Sequence, residues 1–168
     1  MLSRLFRRPN PNQALMPLYQ AVIAQGRQPH WYLDGAVPDT LDGRFDMIAA
    51  ILSAVLIRLE REKLAQESVW LTELFIDDMD GQLRQIGIGD LVVGKHLGRM
   101  MSALGGRLTV YREGLNDPAT LGELLVRNLY RGEAPAPEAL AHVQAALLSF
   151  KAGLDAVPAG DILKGRVA

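Results

Sequence analysis

The sequence predicts an all-α protein, a single compact domain of about six helices with a long loop between the first and the second. Three observations carry that expectation. Leucine and alanine dominate the apolar residues while aromatics make up only 6% of the chain, a bias towards helix over sheet. Apolar side chains recur at i, i+3, i+4 and i+7 over long stretches. Proline, glycine and aspartate fall between those stretches, where helices start and stop.

The chain divides into a basic leader (1–12), a helical domain (13–157) and a loose C-terminal tail (158–168). The leader ends on Pro9-Asn10-Pro11-Asn12, which interrupts regular structure. A first helix over 13–25 carries Leu15, Leu18, Tyr19, Val22 and Ile23 on one stripe, and Gly26 ends it. Residues 27–44 form the long connection. Loops longer than about 12–15 residues inside a compact domain are usually functional, and this one holds Trp31 and Tyr32, so part of it packs down. The second helix, 45–63, is central: Phe45, Ile48, Leu52, Val55, Leu56 and Leu59 make one face, and Ile51 and Ile57 make the other apolar too. Asp42 is its expected N-cap, and its last turns, 58–63, are charged and solvated.

The third helix starts at Ser68 as N-cap and runs to residue 86, with Leu71, Leu74, Phe75, Met79 and Leu83 inward. Asp90 caps a fourth helix ending near Gly105, and 109–115 is either its frayed continuation or a short extended piece. Asp117-Pro118 opens the fifth, which runs to residue 130, because proline has a pre-set φ for the first helical position. A sixth covers 138–154, after Pro135 and Pro137.

Chemistry-bearing patterns are sparse. Cysteine is absent, so there is no disulfide, thiolate ligand or cysteine nucleophile. His30, His96 and His142 lie on different predicted elements without metal-ligand spacing. His30, beside Trp31, is the one histidine placed for a ligand contact. Gly87-Ile-Gly-Asp90 lacks the lysine of a phosphate loop and reads as a helix end followed by a cap. The acidic run Glu73…Asp77-Asp78-Met79-Asp80-Gly81 fails as a calcium loop, since Ile76 and Gly87 stand where Asp and Glu are needed. It is either a solvated helix face, with Asp80 pairing Arg84, or a docking surface. Gly94-Lys-His-Leu-Gly98 allows close helix approach, which core packing explains as well as a partner does. No cofactor and no metal site is expected.

Charge is uneven. Residues 1–33 hold four arginines and no acid, while the rest holds all 19 acids and 14 bases. That distribution suits contact with an anionic membrane surface through the leader better than nucleic-acid binding. Leu2, Leu5 and Phe6 against the basic residues would make a short amphipathic turn, so Arg4, Phe6, Arg7 and Arg8 are the expected membrane-surface residues. The longest nearly apolar run, 47–57, is far short of the roughly 20 residues that span a bilayer.

Two long strings are more specific than any of these patterns. Arg27-Gln-Pro-His-Trp-Tyr-Leu-Asp-Gly-Ala-Val-Pro-Asp-Thr-Leu-Asp-Gly-Arg-Phe-Asp46 resembles a block of the ubiquinol–cytochrome c chaperone family. So does Phe75-Ile-Asp-Asp-Met-Asp-Gly-Gln-Leu-Arg-Gln-Ile-Gly-Ile-Gly-Asp90, followed by Val93 and Lys95, and Gly106-Arg107…Tyr111 is similar to a shorter third block. The resemblance runs from about Leu18 to Arg131. One departure is Gly81, where the family usually has a larger residue; it weakens the helix by about 1 kcal/mol relative to alanine.

The resemblance implies an assembly chaperone, not an enzyme, that binds newly made cytochrome b on its way into the bc1 complex. Mitochondrial members work with a small second chaperone near the ribosome, which makes such a protein a candidate partner. The absence of a long leader implies a bacterial protein, peripheral at the cytoplasmic face of the inner membrane. The partner-binding surface implied is the long loop (Arg27, Gln28, Pro29, Trp31, Tyr32, Pro38, Asp39 and Arg44) together with the acidic face (Asp77, Asp78, Asp80 and Arg84). Two rivals remain: a small enzyme using an Asp39/Asp42/Asp46 cluster with His30, and a passive structural subunit.

Overall fold

In a computed structural model the described residues are 10–168, and the leader residues expected at the membrane surface, Arg4, Phe6, Arg7 and Arg8, lie outside them. The chain enters through a 3-10 turn, Pro11–Leu15, and continues as α1, Met16–Gly26. A short α2 spans Pro29–Leu33, and α3 spans Leu41–Arg61. Then follow α4, Ala65–Gln85, and α5, Asp90–Gly114. The chain closes with α6, Pro118–Asn128, α7, Pro137–Ala156, and the single-turn α8, Ala159–Ile162. No strand occurs among the described residues.

α3 is the axis of the molecule. Every residue from Asp46 to Leu59 is buried, because α1, α4, α5 and α7 pack around it on all sides. That is the arrangement expected of a helix apolar on both faces. α6 bridges α5 and α7, and the 3-10 turn lies against α4. Arg58, read from sequence as solvated, is buried instead. Its guanidinium donates to the carbonyls of Leu154 (3.1 Å) and Val157 (3.2 Å), adding donors at the C-terminal end of α7.

The long loop is shorter than the sequence suggests. Pro29 opens α2, and Trp31 is fully buried, its indole Nε1 donating to the Gln25 carbonyl (2.8 Å). The Tyr32 hydroxyl donates to the Gly26 carbonyl (2.8 Å), so both aromatics fold α2 back onto the end of α1. At the far end α3 begins at Leu41, one turn earlier than expected, with Thr40 and not Asp42 as its cap. Thr40 Oγ1 accepts from the Gly43 amide (3.0 Å). The early start is possible because residue 43 has no side chain: a Cβ there would sit 1.9 Å from the Pro38 carbonyl oxygen.

Three other boundaries move. α4 begins at Ala65, and Ser68 lies inside it, donating to the Leu64 carbonyl (2.9 Å). α5 starts behind Gly89 and runs unbroken through Gly105-Gly106 to Gly114, so 109–115 is helical continuation. Each helical glycine costs about 1 kcal/mol, but Leu104 and Tyr111 are buried on the inner face, and each buried large side chain returns about 1.5–3 kcal/mol. The tail is not loose: Ile162 is fully buried, and Gly165 passes against the Pro17 carbonyl. The α6 start is as expected, with Asp117 accepting from the Ala119 amide (3.3 Å).

Candidate functional site

A groove of about 640 Å³ opens between the first turns of α3, the last turns of α4 and the middle of α5. Its floor is apolar: Phe45 and Ile48 from α3, Met79 and Leu83 from α4, Met100 from α5. Leu41 and Ile86 stand exposed at its lip. Around this floor are five guanidiniums, those of Arg27, Arg44, Arg99, Arg107 and Arg131, with Asp42 the acidic residue among the lining side chains.

A buried ion-pair knot holds one wall. Asp46 is fully buried on α3, where its carboxylate meets Arg107 of α5 (2.5 Å) and Arg131, just past α6 (2.7 Å). Arg131 also reaches Asp42 (3.1 Å). A buried carboxylate is tolerated only when paired this fully. The knot therefore ties α3, α5 and the end of α6 together at the groove's back. Arg107 lies over the Phe45 ring, 5.2 Å from its centroid, and Phe45 meets Phe75 at 5.6 Å. Two polar atoms there, Arg107 Nη1 and the Tyr111 hydroxyl, are buried without a hydrogen-bond partner among the described residues. Burial pushes the Tyr111 phenol well above its usual range, so it stays neutral.

The sequence-derived site residues of the long loop fall in different places. Arg27 and Arg44 line the groove. Asp39 pairs with Arg44 (2.7 Å) and so holds that guanidinium at the mouth. Trp31, Tyr32, Pro29 and Pro38 build the backbone around it. Trp31 is too buried to touch a partner, a correction that follows from its hydrogen bond to α1. Gln28 bonds Gln25 (2.9 Å) at the surface.

The acidic face lies beside the groove and not in it. From α4 and the residue after it the groove takes Met79, Gln82, Leu83, Gln85 and Ile86, which leaves Asp77, Asp80 and Arg84 turned elsewhere by helical spacing. Asp78 accepts from the Tyr19 hydroxyl (2.5 Å), and Asp80 accepts from Arg84 (2.9 Å), which also pairs with Asp90. Asp77 is exposed.

The rival catalytic cluster is not assembled. Asp46 is locked by two arginines, Asp39 and Asp42 are exposed and paired to Arg44 and Arg131, and His30 faces His142 (Nδ1 to Nε2, 2.9 Å) and Trp31. Arg99, Met100 and Arg131 escaped sequence reasoning as lining residues. Met79 and Leu83 carried a signal through the Phe75–Asp90 string, although read as core, and Arg107 through the Gly106-Arg107…Tyr111 string.

Comparison with known proteins adds three findings. A family model described as ubiquinol-cytochrome C chaperone matches residues 33–168. The crystal structure of the Cbp3 homolog from Brucella abortus is similar over 100% of this chain and 96% of that one, with a TM-score of 0.80 and 27% sequence identity. No curated protein sequence matches. The matched residues include Asp46, Arg107 and Arg131, and all of the groove except Arg27.

Proposed function

The chain belongs to the ubiquinol–cytochrome c chaperone family, and from that premise we propose that its groove holds newly made cytochrome b during assembly of the bc1 complex. One observation supports this reading most. The three sequence strings that resemble the family, far apart in the chain, converge on the walls of one apolar-floored groove.

The physical rationale concerns the client. Cytochrome b is a multi-span protein, and its polar, cofactor-lined interior is unsatisfied until haem and partner subunits arrive. A binder that recognises only the unassembled form stabilises it by mass action and is released when assembly buries the same surface. An apolar groove edged with charge suits such a binder, because the floor supplies affinity while the rim supplies register and salt-sensitive release. The protein acts as a peripheral chaperone at the cytoplasmic face of the inner membrane, held there by its basic leader. No helix among the described residues is long and apolar enough to cross a membrane.

The test is made in the cell. Deleting the gene should leave the bc1 structural genes transcribed while cytochrome b disappears first on immunoblots, and the wild-type chain should restore it. Met100→Trp, which fills the groove, should fail to restore it while keeping a wild-type circular dichroism spectrum. Normal cytochrome b and normal quinol oxidation in the deletion strain would overturn the reading.

A further inference from the structure

The charge around the groove is out of balance with its floor. Arg44 is answered by Asp39, and Arg131 by Asp42 and Asp46. Arg107 shares Asp46, but its Nη1 is buried with no hydrogen-bond partner. Arg27 and Arg99 have no ion-pair partner among the described residues. A purely apolar occupant would strip water from Arg27 and Arg99, leave Arg107 Nη1 unanswered and return nothing, an unfavourable exchange for charge.

The size of the groove narrows the occupant. A volume of about 640 Å³ lies within the roughly 300–1,000 Å³ of sites that take a small ligand or a few side chains. It admits one or two helical turns, not the roughly 20 residues of a membrane span. Arg99 and Arg107 are eight residues apart on α5, which at 1.5 Å rise per residue separates them by about 12 Å along the axis. One lipid phosphate does not bridge that distance, whereas two carboxylates two turns apart on a helical peptide, about 11 Å along its axis, do. Met79 and Met100 in the floor are unbranched and adaptable, as in surfaces that accept helices of varied sequence.

We propose that the groove selects a short apolar helical segment bearing carboxylates, whose acids pair with Arg99, Arg107 and Arg27 while its apolar side chains cover Met79, Leu83 and Met100. The proposal rests on the client-groove reading and specifies its chemistry. It also gives the groove a discriminating element. The loops of membrane proteins on the cytoplasmic side are rich in lysine and arginine, and this rim repels them, so an acidic segment is picked out of a basic background.

Calorimetric titration of the full chain with three synthetic peptides tests this. Each shares one Leu/Ala helical sequence and carries, two turns apart, two glutamates, two glutamines or two lysines. The glutamate peptide should bind at least about tenfold more tightly than the glutamine peptide, the lysine peptide should bind most weakly, and the difference should shrink as salt rises. Arg27→Glu with Arg99→Glu, both exposed and unpaired, should invert the order with an unchanged melting temperature. Equal affinities for all three would overturn the acid preference; if Met100→Trp then abolished binding of all three, the groove would still stand as the client site. No binding by any peptide would overturn this proposal, and the cellular test would then decide the family reading separately. Displacement of the glutamate peptide by soluble short-chain phosphatidylglycerol, dependent on Arg27 and Arg99, would assign the groove to an anionic lipid and also overturn it.

Discussion

Asp78 and Asp80 lie two residues apart on α4 and carry the same charge, yet they do different work. Asp78 receives the hydroxyl of Tyr19, a buried side chain of α1, at 2.5 Å. Burial, and then the neighbouring carboxylate, push that phenol far above its usual range, so it remains a donor at every physiological pH. Asp80 pairs with Arg84 at the surface, an i,i+4 contact that solvent screens. The Asp80–Arg84 pair was legible from its i,i+4 spacing, but the Asp78 contact was not, because Tyr19 is 59 residues away. Replacing Asp78 by alanine should leave a buried hydroxyl unsatisfied, at a cost of about 1–3 kcal/mol, or a fall in Tm of roughly 2–12 °C for a chain of this size. Asp80→Ala should change stability by no more than about 0.5 kcal/mol. Thermal denaturation of the two single variants checks the contrast, and equal melting temperatures would refute it. Gly43 and Asp46 show the same principle within one turn of α3: one is required for lacking a side chain beside Pro38, the other for a charge that two arginines enclose.

Between elements, the contact most open to solution conditions joins α2 to α7 through His30 and His142, whose rings meet edge to face. Burial, and then His142, hold the His30 imidazole below its ordinary pKa, while Asp34 pulls weakly the other way. The folded state therefore resists a proton that the unfolded chain accepts. Stability is full above about pH 6.5, the unfolded value, and is lost as pH falls through the lower folded value. The melting temperature should drop between pH 7.5 and 5.5, before the carboxylates titrate, and His30→Gln should flatten that drop. A pH profile unchanged by the substitution would remove His30 as its cause. The existence of the long helices was legible because their burial patterns are local: α3 is apolar all round, and Asp117-Pro118 fixes the start of α6. Boundaries decided by distant contacts were not legible. Thr40 replaces Asp42 as a cap because Gly43 slips past Pro38, α5 continues through two glycines because Leu104 and Tyr111 are buried beyond the helix itself, and the tail folds back because Ile162 finds a place in the core.

Across the whole molecule, the candidate site is a product of topology. Its lining comes from Arg27, the start of α3, the end of α4, the middle of α5 and Arg131, and no window of sequence contains more than one wall. The resembling strings supplied two walls and Arg107. Arg99 and Arg131 are ordinary surface arginines until the fold sets them around one floor. Charge is arranged on the same scale. Four arginines and no acid fall within residues 1–33, and the remainder carries 19 acids against 14 bases. An anionic membrane would attract the basic leading end, so on this reading the leader is the expected point of contact. Each basic residue near such a surface contributes about 1 kcal/mol, and Leu2, Leu5 and Phe6 add apolar area to be buried among the headgroups. The full chain should therefore float with vesicles containing phosphatidylglycerol at low salt, and less so as salt screens the attraction. A chain lacking residues 1–8, shown by circular dichroism to keep its helices, should remain in the soluble fraction, and neither form should float with neutral phosphatidylcholine. Identical flotation of the two forms with anionic vesicles would show that Arg4, Phe6, Arg7 and Arg8 are not the anchor and would transfer that role to the folded body.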